Sequence, residues 1–298
     1  MTGGGRLDRG WCRVSFAPVG YGRSMDEQAP RPRVFGNRFA DAVGPGGISA
    51  GIDRCSCFDQ HRVQAPGKGV HFHSEGQDTS APGWLRMMAL IDEAAADGRE
   101  VFKPLVEMSP EERRQVVTLP PSIGKLTAVK HLVLYRSNLV RLPAEIGAMA
   151  SLEVFEPYTS SRLHWFPYEL TRCKNLKYST VGIRSVFGNF KYRPPFPVLR
   201  QGPLPSGDVD PGLWGADAIN SCSVSHSRFT ERGVRQVWLS ARVATDVLPL
   251  LVNACSDACV GALTQGAERH IRVPHSGGRD IVQPEARYGP RPSSASGR

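Results

Sequence analysis

Four residues in the last third of the chain, Cys222, His226, Cys255 and Cys259, have the types to hold a metal ion. Thiolate and imidazole are ligands that zinc accepts, and four of them in tetrahedral array leave no open position for a reacting water. A Cys3His set is therefore expected to be structural, one zinc ion supplying folding energy that a segment of about fifty residues cannot raise from its own core. A second reading stays open. Ser225 occupies the place where a C-x2-C pair beginning at Cys222 would carry its second thiol, so the set is equally a relic that leaves three cysteines buried near each other. No other centre is expected. Cys55, Cys57, His61, His71 and His73 match no zinc spacing, and the chain's seven unevenly placed cysteines make no disulfide framework.

The elements that must position this set can be read around it. Val234 to Leu239 is a candidate strand, and Val247-Leu248-Pro249-Leu250-Leu251-Val252 is an apolar run leading into Cys255. Ser256 and Asp257 are residues that open helices, which puts Cys259 in a first turn. The segment Cys255-Ser256-Asp257-Ala258-Cys259 resembles the C-S-x-x-C end of treble-clef zinc modules. The resemblance implies a small, separate treble-clef-like module over residues 215–263.

The middle of the chain repeats itself. Leu119-Pro120-Pro121-Ser122-Ile123-Gly124-Lys125-Leu126 is echoed by Leu142-Pro143-Ala144-Glu145-Ile146-Gly147-Ala148-Met149, 23 residues later. A third copy, Phe166-Pro167-Tyr168-Glu169-Leu170-Thr171-Arg172-Cys173, follows after 24. Each copy runs on into an L-x-x-L-x-L pattern: Val129, Leu132, Leu134; Leu152, Phe155, Pro157; Leu176, Ser179, Val181. Cys173 falls where Leu126 and Met149 stand and should be a small buried hydrophobe. A fixed period of this size predicts stacked units that bury their apolar faces against one another. Residues 116–186 resemble the leucine-rich repeat family of the short L-P-x-x-I-G-x-L type. The resemblance implies an α/β fold, a short solenoid of about three repeats, and protein–protein binding in general.

Within each copy the L-x-L portion should be a short parallel strand with its leucines inward, so that alternate residues face a partner. These are His131, Val133 and Tyr135, then Val154, Glu156 and Tyr158, then Tyr178 and Thr180. Tyrosine joins apolar area to a hydroxyl and is enriched at binding hot spots; it also simply suits strands. Pro157 lacks a donor and should distort the middle strand. Upstream, Leu85, Met88, Leu90 and Ile91 predict a helix from near Trp84 to near Gly98. Ser109, Pro110 and Glu112 predict a second helix opening in a capping box. Together they make a helical cap over 81–117. The repeats and an aromatic, proline-rich cap fill 118–197, and a linker covers 198–214.

Glycine and proline, 31 and 24 of the 298 residues, cluster at both ends. Residues 1–80 are therefore expected to be a disordered or mis-assigned N-terminal extension, and 264–298 a flexible tail. The formal charge of +9 comes from scattered residues, 30 of the 37 basic ones being arginine, so nucleic acid is not expected as a partner. No apolar run is long enough for a membrane span and no signal segment is evident, which predicts a cytoplasmic protein. Phosphate loops, H-E-x-x-H, G-x-S-x-G and paired carboxylates are all missing. The expectation is a non-enzymatic scaffold that binds another protein. The competing reading is a zinc-dependent, nucleic-acid-binding regulator that uses the Cys/His module.

Overall fold

Helix α1 (Pro82–Asp97) buries Trp84, Met87, Leu90, Ile91 and Ala94, an apolar stripe at helical spacing. It opens on a proline and stops at Gly98, whose φ of 67° is left-handed and whose N–H returns to the Ala94 carbonyl. Helix α2 (Pro110–Gln115) carries the expected capping box. Glu112 N–H donates to Ser109 Oγ at 3.2 Å, and Ser109 N–H donates to Glu112 Oε2 at 2.7 Å. The computed structural model describes residues 73, 75–182, 185–205, 208–209, 219–229 and 233–287.

Strands β1 (Val101–Phe102), β2 (His131–Val133), β3 (Val154–Glu156) and β5 (Tyr178–Ser179) form one parallel sheet in that spatial order. His131 lies opposite Val154 and Val154 opposite Tyr178, so neighbouring strands are offset by one sequence repeat. Three short 3-10 turns, Pro121–Lys125, Ala144–Ala148 and Tyr168–Arg172, follow the Leu-Pro or Phe-Pro openings. The close approach of these turns explains a glycine. A Cβ on Gly147 would stand 2.5 Å from the Glu169 carbonyl oxygen, so a side chain there would force the two turns apart. Serines tie the far ends of the strands: Ser137 Oγ donates to Ser160 Oγ at 2.7 Å, and Ser160 Oγ donates to the Leu134 carbonyl at 3.0 Å.

Pro157 does not break the middle strand. Leu134 N–H still reaches Glu156 O at 2.9 Å and Arg136 N–H reaches Tyr158 O at 3.0 Å. Successive N–H groups of a strand point to alternate neighbours, so the missing donor falls on the β5 side, where β5 has already ended at Ser179.

The C-terminal third overturns the expected architecture. Strands β6 (Arg235–Val243) and β7 (Asp246–Ala254) form an antiparallel hairpin. Strand β4 (Phe166–Pro167), from the opening of the third copy, pairs parallel to β7 at Leu250 and Leu251. The described residues thus make a mixed α/β fold with a four-stranded parallel sheet, a three-stranded mixed sheet and three helices, and no closed solenoid. Nor do the described residues form a separate treble-clef-like module. Leu248 and Leu250 of the hairpin share one core with α1 and all three copies, while Trp238 and Leu251 share a second with Trp165, Phe187 and Phe196. The apolar run in β7 is unbroken because both faces are covered.

The physical reason lies at Ser179. Its inward position is taken by a hydroxyl that donates to the Val243 carbonyl at 3.1 Å and accepts from Asp246 N–H at 3.2 Å. Its backbone N–H and C=O both meet Thr245 Oγ1, at 3.0 and 2.7 Å. The hairpin turn therefore covers the exposed edge of β5, where a further repeat would otherwise stack.

Residues 264–287, expected to be part of a flexible tail, are packed. Trp238 and His275 exchange backbone hydrogen bonds at 2.8 and 3.1 Å, and Leu199 N–H donates to Ser276 O at 2.7 Å. Trp238 itself is fully buried, its Nε1–H donating to Pro197 O at 3.0 Å. The tail is held because it supplies an edge to β6 and a lid for the aromatic cluster. Most of the N-terminal extension, Trp214 at the linker's end and residues 288–298 lie outside the described residues, as do Cys55, Cys57, His61 and His71.

Candidate metal centre and binding face

Cys255 leaves the end of β7 directly. Ser256 then caps helix α3 (Asp257–Gly261), its hydroxyl accepting from Cys259 N–H at 3.2 Å. This brings Cys259 Sγ to 3.5 Å from Cys255 Sγ. Cys222 comes from a tight turn closed by Cys222 N–H to Ser227 O at 2.8 Å and His226 N–H to Cys222 O at 3.1 Å. The sulfurs of Cys222, Cys255 and Cys259 all lie within 4.8 Å of one another and could bind a metal ion. Zinc–sulfur bonds of about 2.3 Å in tetrahedral array put sulfurs about 3.8 Å apart, so the spacing fits.

The hydrogen bonds around Cys222 suit a thiolate. At Cys255 the Ser225 hydroxyl, which lowers the thiol, is outweighed by burial and the neighbouring Cys259 and Cys222 sulfurs, which hold it above its ordinary range. The backbone N–H groups of Val224, Ser225 and Cys255 all aim at Cys222 Sγ, each at 3.4 Å. Burial works against ionising Cys222, but these donors and the Ser225 hydroxyl outweigh it and bring the thiol down to about 7. Cys173, by contrast, is pushed up to about 11 by burial, and its Sγ donates to the Ile146 carbonyl at 3.3 Å. It is the buried hydrophobe expected of its repeat position.

The turn bearing Cys222 is pinned from two sides. Ser223 N–H donates to Asn253 O at 2.7 Å, and Asn253 N–H to Ser223 Oγ at 3.0 Å, which locks the turn to β7. From the third copy, Arg172 Nη2 donates to the carbonyls of Ser223 and Cys222, at 3.0 and 3.4 Å. Buried Glu169 reaches Ser223 as well, with burial raising its carboxyl above the usual range. Sequence reasoning missed Glu169 and Arg172, since nothing in the chain's local pattern links them to a turn fifty residues away. It also placed His226 among the ligands. The structure brings three of the four predicted residues together. His226 is exposed, has a φ of 64°, and is not among the clustered donors.

The predicted binding face divides. Tyr135 and Tyr158 stack across β2 and β3 with ring centroids 6.2 Å apart, and Tyr158 and Tyr178 are 39% and 58% exposed. His131, Val154 and Thr180 are half-buried. Val133 and Glu156 are buried, Val133 beneath Tyr135. His131 Nε2 sits 2.9 Å from Glu156 Oε2, so the carboxylate is held down against the sheet. The surface on offer is therefore a tyrosine and imidazole patch over a buried carboxylate. Arg136 and Thr159, one repeat apart and both left-handed at φ 55° and 60°, turn the chain just beyond the two stacked tyrosines.

No protein-family model matches this chain, and a search of curated proteins finds no match. Among the described residues no helix is long and apolar enough to cross a membrane.

Proposed function

We propose that this chain is a non-enzymatic interaction protein that binds another protein through the open side of the parallel sheet. The observation that carries the reading is the stacked Tyr135–Tyr158 pair on the same sheet face as exposed Tyr178, which lies in the row of His131 and Val154. Rigid, amphipathic rings with much of their area in water are what a protein partner buries at low entropic cost. Kinship of residues 116–186 with the leucine-rich repeat family is part of the proposal. It is supported by the three Leu-Pro-type openings and by strands paired one repeat apart. Such kinship implies protein binding in general and no given partner.

The test is co-purification from the native cell with the intact chain and with a Tyr135→Ala, Tyr158→Ala, Tyr178→Ala triple variant. Partner recovery should fall at least about tenfold in the variant. Equal recovery of the same partners by both chains would remove the sheet face from the account.

For the metal we propose zinc in a structural role, held by Cys222, Cys255 and Cys259. Three thiolates favour a soft or borderline ion, and the ion would clamp the Cys222 turn to the end of β7 and to α3. Metal analysis of the purified protein should find about one zinc per chain, and a chelator should lower Tm by several degrees. A chain with well under one zinc, or one whose melting ignores the chelator, has no such ion.

A further inference from the structure

We infer that the fourth corner of the three-thiol centre belongs to the hydroxyl of Ser225 and not to the imidazole of His226, so that a metal held here is exchangeable at that corner. The inference rests on the metal reading above and goes beyond it, because it identifies the weak ligand and the side from which the ion is reached.

Three observations converge. Ser225 Oγ lies 3.6 Å from Cys255 Sγ, close to the 3.5 Å that separates Cys255 Sγ from Cys259 Sγ. The hydroxyl thus already stands at an edge length of the same polyhedron. Next, Ser225 is three residues after Cys222, and the N–H groups of Val224 and Ser225 both point at Cys222 Sγ at 3.4 Å. That wrap of the turn around one sulfur carries the side chain at 225 toward the shared space. Finally, His226 follows with a φ of 64° while its N–H closes the turn on Cys222 O at 3.1 Å. Its side chain is exposed, and its ring nitrogens are not among the clustered donors.

The chemistry follows from the ligand type. A neutral hydroxyl is a far poorer zinc donor than a thiolate, so it holds its corner weakly and gives way to a stronger donor. Ser225 is exposed and Cys255 and Cys259 are half-buried, which leaves this corner facing water. Four strong protein ligands would close the centre; three thiolates and one exposed hydroxyl leave it open to an incoming thiol, imidazole or chelator.

The experiment uses the full chain with Zn(II) and Co(II) as probes, and the variants Ser225→Cys and His226→Ala. Both positions are exposed, so neither replacement disturbs a core. Zinc affinity is read by competition with a chromophoric chelator. Ser225→Cys should tighten binding at least about tenfold and slow metal transfer to the chelator. It should also raise the Co(II) thiolate charge-transfer band by about one third, as three thiolates become four. His226→Ala should change neither affinity nor spectrum. Loss of affinity in His226→Ala, with none gained in Ser225→Cys, would assign the corner to the imidazole and overturn the inference while leaving the metal centre intact. Failure of the natural chain and of Ser225→Cys alike to take up one zinc would instead remove the centre itself.

Discussion

Replacing Ser179 with leucine is expected to destabilise the protein by about 3–5 kcal/mol, although leucine is what the repeat pattern places at that position. The first two copies put Leu132 and Phe155 there, both fully buried. In the third copy the equivalent space is filled by the β6–β7 turn. The serine hydroxyl gives one hydrogen bond to Val243 O at 3.1 Å and takes one from Asp246 N–H at 3.2 Å. Leucine would leave both groups without that partner, at about 1–3 kcal/mol for each buried one. It would also push the turn off β5 and break the two backbone bonds to Thr245. Ser179→Ala separates the two effects, because it removes the hydroxyl without adding bulk, and should cost about 1–2 kcal/mol. Urea unfolding reads both, with the midpoint falling in the order natural, alanine, leucine at an unchanged m-value. A leucine variant as stable as the natural chain would mean that the repeat pattern, and not the hairpin, governs this edge.

That position marks the boundary between what local sequence expresses and what it does not. The helix expected from Leu85, Met88, Leu90 and Ile91, and the Ser109-Pro110-Glu111-Glu112 cap, are written in residues a few places apart. The cap is closed within its own turn and both helices are present, but Leu85 and Met88 are exposed and Trp84 and Met87 take the buried positions, because the inward face of α1 is set by what it packs against. The offset of one repeat between paired strands is equally local in origin, since stacked copies of one pattern can pair only in one register. Pairing of Phe166 with Leu250, by contrast, joins segments more than eighty residues apart, and no periodicity connects them. Nothing near Ser179 in the chain marks its hydrogen-bonding role, because its partners, Val243, Thr245 and Asp246, are sixty-odd residues away.

The candidate sites divide along the same line. Three cysteines were recognisable because Cys255 and Cys259 flank a helix start and Cys222 heads a knuckle-like spacing. The direction of His226 was not, because it depends on a left-handed backbone that no glycine announces. Val133 and Glu156 follow strand alternation and sit on the predicted face, yet ring size and a histidine hydrogen bond bury them. Alternation predicts a side, whereas exposure is decided by what the neighbours on that side do.

Acidification should destabilise the protein through His275. Its ring lies edge to face against Phe196 with centroids 4.7 Å apart, Nδ1 accepts from Gly277 N–H at 3.1 Å, and buried Nε2 has no hydrogen-bond partner. Burial therefore favours the neutral imidazole and lowers its value from the ordinary 6.5 to about 4. In the window between those values the unfolded chain binds the proton and the folded chain does not. The His275 contribution to stability is therefore complete above about pH 6.5 and is lost as pH falls toward 4, by about 3 kcal/mol over the window. Buried Glu169 and half-buried Asp246 act oppositely, since burial raises both carboxyls and makes their folded forms hold protons more tightly. The raw acid profile mixes these contributions, so the comparison is with His275→Gln, which keeps a polar side chain that does not titrate. Denaturant midpoints measured from pH 7.5 to 4 should fall more steeply for the natural chain than for the variant, the gap opening below pH 6.5. Two profiles that run parallel through that window would show that His275 is protonated as readily folded as unfolded, and that the lid over the aromatic cluster admits water.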